Sequence, residues 1–190
     1  MQQSLKHKHK EEYNVTVRYD QTPINPREWD NTGIMVCSHR RYNLGDEQIN
    51  ADDYKDWSDV LNSLDYYVAL PLYLYDHSGL TISTTRFNCR WDSGQIGYIY
   101  TTKEHLKKMG HKTIPPKDKV KQWLKGEVEE YDKYLRGDVY TFIVEKITYC
   151  SLCDHPHKEV IDSCSGFYDL EHLKDHLGEY VKYWDGEVKE

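Results

Sequence analysis

The chain has 190 residues, 38% of them hydrophobic and 30% charged, and its 25 Lys and Arg against 32 Asp and Glu give a formal charge of −7. Seventeen Tyr, five Trp and three Phe exclude wholesale disorder, because disordered chains are poor in aromatic residues. No apolar run approaches the length of a membrane-spanning helix, and the lack of a basic stripe argues against duplex nucleic acid as a partner.

The opening MQQSLKHKHK is basic but leads into no apolar stretch, so it is not read as a secretory leader. Residues 1–12 are expected to form a flexible polar arm. Tyr13–Arg18 alternates β-branched residues and predicts a first strand, and the apolar run Gly33–Cys37 predicts a second. Over Asp52–Leu64, Trp57, Val60, Leu61 and Leu64 share one helical face, with Asp52 or Asp53 placed as the N-cap. Tyr66–Tyr75 and Leu80–Phe87 predict a hairpin across the turn Asp76–Gly79, with a bulge or an edge at Pro71. Gln95–Thr101 is a further strand in which Gly97 marks a bulge or a close backbone approach.

Lys103–Met109 predicts a short helix closed by Gly110. Lys117–Leu135 predicts a long one, with a stripe of Val120, Trp123, Leu124, Val128, Tyr131 and Leu135 and a stop at Gly137. Val139–Ile147 and Glu159–Cys164 read as strands, and Leu170–Trp184 as a closing amphipathic helix. Strands in local hairpins and helices in separate blocks predict an α+β fold: one domain over 13–190, with a mostly antiparallel sheet and two main amphipathic helices packed on it.

Five cysteines, Cys37, Cys89, Cys150, Cys153 and Cys164, are an odd number without disulfide-scaffold spacing, so reduced thiols are expected. Cys150 and Cys153, followed by His155, His157 and Cys164, have spacing that suits a tetrahedral zinc. His172 and His176, stacked on the last helix, are alternative partners. A structural zinc is the one cofactor suggested, and the plainer reading is a hairpin with idle thiols.

Three loops carry the other candidate groups. In RWDSGQIG, Trp91, Asp92, Ser93 and Gln95 can cradle a phosphate or hold a base, or simply form a tight turn in which Asp92 caps amides and Gly94 takes positive φ. His39, Arg40 and Arg41 suit bidentate contact with an anion, unless an arginine is spent pinning Asp46. Asp76 and His77 lie in the hairpin turn, and no nucleophile-elbow motif accompanies them.

Four strings stand out together: NPREWDNTGIMVCSHRRYNLGDE, YVALPLYLYDHSGLTISTTRF, RWDSGQIGYIY, and the pair GDVYTFIVE with VIDSCSGFYD. In that order, over about residues 20–170, the chain resembles a family of bacteriophage and bacterial mobile-element proteins with no established activity. The resemblance implies a bacterial cytoplasm and an accessory role, such as counter-defence or host takeover, and it assigns no catalytic residues.

These readings favour a binding protein that occupies a host protein or a small signalling ligand. Alternatives are a small enzyme acting on a nucleotide or nucleic acid, and an acidic DNA mimic. Convergence of His39, Arg40, Arg41, Asp76, His77 and Asp92 in one concavity is the discriminating observation.

Overall fold

The computed structural model describes residues 12–150 and 152–190. The first half of the chain forms strand β1 (Glu12–Tyr19), strand β2 (Ile34–Cys37), the short strand β3 (Glu47–Gln48), helix α1 (Trp57–Ser63), and strands β4 (Val68–Asp76), β5 (Leu80–Ser83) and β6 (Ser93–Thr101). Helices α2 (Lys103–Lys108) and α3 (Lys117–Arg136) follow. Strands β7 (Tyr140–Tyr149) and β8 (Pro156–Phe167), helix α4 (Leu170–Leu177) and strand β9 (Trp184–Lys189) complete the order. Strand pairing is mostly antiparallel, and the class is α+β as expected. The arm expected over 1–12 lies outside the described residues, apart from Glu12, which opens β1. Among the described residues no helix is long and apolar enough to cross a membrane.

The sequence reading expects a single domain over 13–190 with a mostly antiparallel sheet. The strands sort into two sheets, β8-β7-β1-β9 and β3-β2-β6-β4-β5, and the chain divides into two compact units. Ile24–Arg136 forms an inserted unit, and the described residues up to Pro23 combine with those from Gly137 to Glu190 as a split unit. No stretch of distinctive composition marks either junction in the sequence.

In the split unit, β1 and β7 pair antiparallel, with Val15 opposite Val144 and Val17 opposite Phe142. These four side chains form one buried face, onto which α4 lays Leu173 and Leu177. Asp169 caps α4 by accepting from the Glu171 amide at 2.7 Å. The helix expected to reach Trp184 ends at Leu177, because Gly178 takes φ +54°, a left-handed value that breaks the helical path. A 3-10 turn then sets Tyr180 and Tyr183 against Tyr13, with ring centroids 5.3 and 5.2 Å away. Trp184 enters β9, parallel to β1, opposite Val15. Leu173, Leu177, Tyr180 and Trp184 thus look helical in spacing while serving three different elements.

In the inserted unit, α3 covers one face of the five-stranded sheet. Val120, Leu124, Val128 and Tyr131 are buried together with Met35, Leu72, Leu74, Ile82, Ile96 and Ile99. Trp123 is not among them. It is half-buried, stacked on His111 at 5.2 Å with the Lys119 ammonium 5.3 Å from its ring. The opposite face packs Val36 and Tyr98 under α1 through Val60, and the Tyr98 hydroxyl donates to the Trp57 carbonyl at 2.8 Å. Helix α1 starts five residues later than its expected onset at Asp52, since Asp56 accepts from the Asp59 amide. Asp52 and Asp53 belong to a separate 3-10 turn capped by Asn50.

The expected hairpin forms, with Asp76 opposite Leu80, but β5 stops at Ser83. There the Ser83 hydroxyl accepts from the Thr85 amide and turns the chain out of the sheet. Because β5 pairs only with Tyr73–Asp76, Pro71 lies where β4 is still an edge.

A buried ionic network ties the loops of this unit to α3. Arg27, its side chain 4% exposed, donates from Nε and Nη2 to both Asp46 oxygens, from Nη1 to Glu127 and from Nη2 to the Gly33 carbonyl. Glu127 also accepts from the Thr32 and Gly33 amides, and Asp46 from the Met35 amide. Burial opposes the charge on Arg27, yet hydrogen bonds and charges from Asp46 and Glu127 outweigh it and raise its pKa above the ordinary value. The arginine pin on Asp46 is therefore Arg27, and not Arg40 or Arg41.

Chemical denaturation should rank the helix substitutions by burial. Leu124→Ala is expected to cost about 2–5 kcal/mol, and Trp123→Ala clearly less. Glu127→Ala, which leaves Arg27 its Asp46 partner but strands the Thr32 and Gly33 amides, should cost about 1–3 kcal/mol. A Trp123→Ala loss equal to that of Leu124→Ala would contradict this packing.

Candidate functional site

Strands β2 and β4 both run antiparallel to β6, so the end of β2, the end of β4 and the start of β6 meet at one end of the inserted unit's sheet. The local backbone is shaped by a bulge. Leu72 pairs with Gly97 and Tyr73 with Gln95, which leaves Ile96 as the extra residue of β6. The Ile96 carbonyl accepts from the Ser38 amide at 2.7 Å and so directs the chain out of β2. Gly97 is required beside it, because an added Cβ would lie 1.9 Å from the Val36 carbonyl oxygen. Both expectations for Gly97, a bulge and a close backbone approach, are met by the same two residues.

Around this end lies a cleft of about 900 Å³. It is lined by His39, Arg40 and Arg41 from the β2 exit, Asp76 from the end of β4, and Trp91, Asp92, Ser93 and Gln95 from the entry to β6. Among the loop candidates named from sequence, only His77 is outside this lining, and it still contacts the site through Asp92. The connection after β2 adds Asn43, Gln48, Asn50 and Asp52, which sequence reasoning does not single out. The available signal is the amide-rich, aperiodic stretch NLGDEQINADD.

The polar groups divide into fixed and free ones. Arg41 is ion-paired with Asp76, and its guanidinium lies 5.2 Å from the Tyr42 ring centroid. His39 stacks on Tyr42 at 5.0 Å, and its Nδ1 accepts from the Arg41 amide at 3.3 Å, which leaves Nε2 as the ring's donor. Asp92 faces His77 Nδ1 at 3.2 Å and accepts from the Cys89 thiol at 3.8 Å, while its carbonyl accepts from the Asp76 amide at 2.8 Å. Asp92 therefore ties two loops together instead of capping amides. Gly94 does not take positive φ, being a β6 residue opposite Leu74. The Gln95 amide group donates to the Gly97 carbonyl at 3.3 Å.

Two groups remain open. Trp91 is 95% exposed, and Arg40 is exposed with no ion pair or side-chain hydrogen bond among the described residues. The Ser93 hydroxyl donates to the Cys89 carbonyl and the Ser78 hydroxyl to that of His77, so neither serine is aligned with the His77–Asp92 pair as a nucleophile. The arrangement suits recognition: a planar apolar face, a free guanidinium, and fixed polar groups that can orient a ligand.

The metal candidates do not come together as one ligand set. In the β7–β8 ladder His157 lies opposite Thr148 and Cys164 opposite Phe142, which separates them by about 20 Å along the strands. Cys164 is a half-buried thiol on the split unit's core, donating to the Ser165 carbonyl at 3.7 Å. His155 contributes its backbone carbonyl to the Cys150 amide. His176, offered as an alternative ligand, packs against Phe142 and Phe167. Among the described residues no group of three or more His, Cys, Asp or Glu could hold a metal ion. The long ladder carries Cys164 away from the hairpin tip.

Gly97→Ala should disturb both stability and the cleft. Overpacking of this kind costs about 1–3 kcal/mol, and the displaced Val36–Cys37 backbone should move Ser38 from the Ile96 carbonyl. A Gly97→Ala protein with unchanged melting temperature and unchanged amide chemical shifts at Ser38–Arg41 would refute the close approach. Comparison with known proteins adds no identity to these observations: no protein-family model, no curated protein and no solved structure matches the chain.

Proposed function

We propose that the chain is a binding protein whose cleft in the inserted unit takes a small ligand of the nucleotide class, as a signalling ligand would be, in an accessory role in a bacterial cytoplasm. The observation that carries this reading is the convergence of His39, Arg40, Arg41, Asp76, Trp91, Asp92, Ser93 and Gln95 on one concavity. Its volume of about 900 Å³ falls within the range of small-molecule sites. Trp91 offers an exposed π-face for a base, and Arg40 an unspent guanidinium for a phosphate. Asp76 pairs with Arg41 and Asp92 faces His77, so anion attraction centres on Arg40. Asn43, Asn50 and Asp52 add polar groups at the rim that can read a ring edge or a ribose.

Calorimetric titration with mononucleotides and cyclic dinucleotides tests the reading. Wild-type protein is expected to bind at least one member of the panel. Trp91→Ala should weaken that binding by about 1–3 kcal/mol, roughly 5- to 150-fold in Kd. Arg40→Ala should also weaken it and flatten its salt dependence. Binding that is indifferent to both substitutions, or absent from the whole panel, would remove the nucleotide reading.

A further inference from the structure

At the other end of the inserted unit's sheet, where β6 finishes opposite the start of β4, lies a second recess of about 650 Å³. Asp65, Tyr67, Thr102, Lys103, Lys107 and Lys117 contribute to its lining. Tyr67 is held at both ends. Its amide donates to the Thr101 carbonyl at 2.8 Å, and its hydroxyl donates to the Pro115 carbonyl at 3.1 Å. Lys103 is the first residue of α2 and Lys117 the first of α3, and each brings its ammonium to 5.4 Å from the centroid of this one ring. Such a contact places an ammonium over the aromatic face but consumes none of its three N–H donors.

Positive charge is therefore gathered here without matching carboxylates. Lys103, Lys107 and Lys117 have no ion pair and no side-chain hydrogen bond among the described residues. Glu104, which also borders the recess, is paired with Lys108 at 3.1 Å. That leaves the Asp65 carboxylate against three ammoniums, an excess that a doubly charged anion would balance. Lys117 also opens a 20-residue helix, where the helix dipole disfavours further positive charge. Local structure thus gives no reason to collect these lysines around one ring, whereas an anion between them would relieve both effects. The Thr102 hydroxyl oxygen accepts from the His105 amide at 2.9 Å, which leaves its O–H free to donate into the same recess.

We propose that this recess is a second ligand site, separate from the Trp91 cleft, and that it binds a phosphate group through Lys103, Lys107, Lys117 and the Thr102 hydroxyl. A phosphate dianion supplies the missing charge and enough acceptor oxygens for donors that converge from α2, α3 and the end of β6. The Tyr67 ring serves as the fixed post on which two of the ammoniums rest before the anion arrives. The recess is of the size of a small-molecule site, so a phosphate ester carrying a small organic group can enter as well as the free ion.

Amide spectra of the isotope-labelled full chain, recorded at constant ionic strength during titration with inorganic phosphate and with glycerol 3-phosphate, test the proposal. Saturable shifts are expected at Tyr67, at Thr102–Lys107 and at Lys117. Tighter binding of the ester would assign the rest of the recess to the group that carries the phosphate, and equal binding would assign the site to the free ion. Lys117→Gln should weaken binding at least about threefold, the scale of one exposed charge pair, and Lys117→Arg should retain it. Lys125→Gln, the same change of charge about two turns further along α3, should leave it unaltered. Shifts that never saturate, shifts confined to Arg40 and Trp91, or equal weakening by Lys117→Gln and Lys125→Gln would overturn the proposal.

Discussion

Arg27 brings a positive charge into the inserted unit with almost no exposure to water, and that charge is tolerable only because three elements arrange acceptors around it. Asp46 comes from the segment before β3, the Gly33 carbonyl from the entry to β2, and Glu127 from the middle of α3. The two carboxylates are then used a second time, since Glu127 holds the Thr32 and Gly33 amides and Asp46 holds that of Met35. A buried pair of this kind is weak evidence for net stability, because desolvation of both ions offsets much of their attraction. Its value is positional. Strand β2 enters the sheet at a fixed height against α3, and every residue on its far end, including those of the cleft, inherits that register.

The parts of the fold legible in the sequence are those in which one periodicity serves one element. The α3 stripe, the β4–β5 hairpin and the alternation of β1 each answer to a single buried face. Leu173, Leu177, Tyr180 and Trp184 mislead because a helix, a 3-10 turn and a strand together reproduce a helical spacing. The division into two units is invisible for a different reason. Strand β1 finds its partner β7 only after the whole inserted unit has passed. Pairing between distant segments has no local signature.

In the site, the residue types were readable and their partnerships were not. His39, Arg41, Asp76, Trp91 and Asp92 can be named from loop composition and charge alone. That Arg41 pairs with Asp76 while Arg27 takes Asp46 depends on antiparallel strand order, which a sequence does not display. Trp123 and Trp91 show the same limit from the side of burial. Both are large aromatics in plausible packing positions, yet one is stacked at the rim of a helix and the other is almost wholly in solvent. The clustering of Cys164 with Cys150 and Cys153 in sequence is undone by strand length, since β8 carries the later thiol to the far end of the ladder.

The insertion also bears on how the chain folds. Tyr19 pairs with Tyr140 across the entire inserted unit, so joining β1 to β7 in an unfolded chain closes a loop of roughly 120 residues. The chain-entropy cost of such a closure grows as 1.5RT ln n, about 4 kcal/mol for this length, against about 2 kcal/mol for a loop of ten. Once Ile24–Arg136 has collapsed around its own core, the connection shortens to the residues that lead in and out of it. Such an order of events would make the split sheet the late-forming and first-melting part of the molecule. The pairing of β1 with β7 would then set folding kinetics.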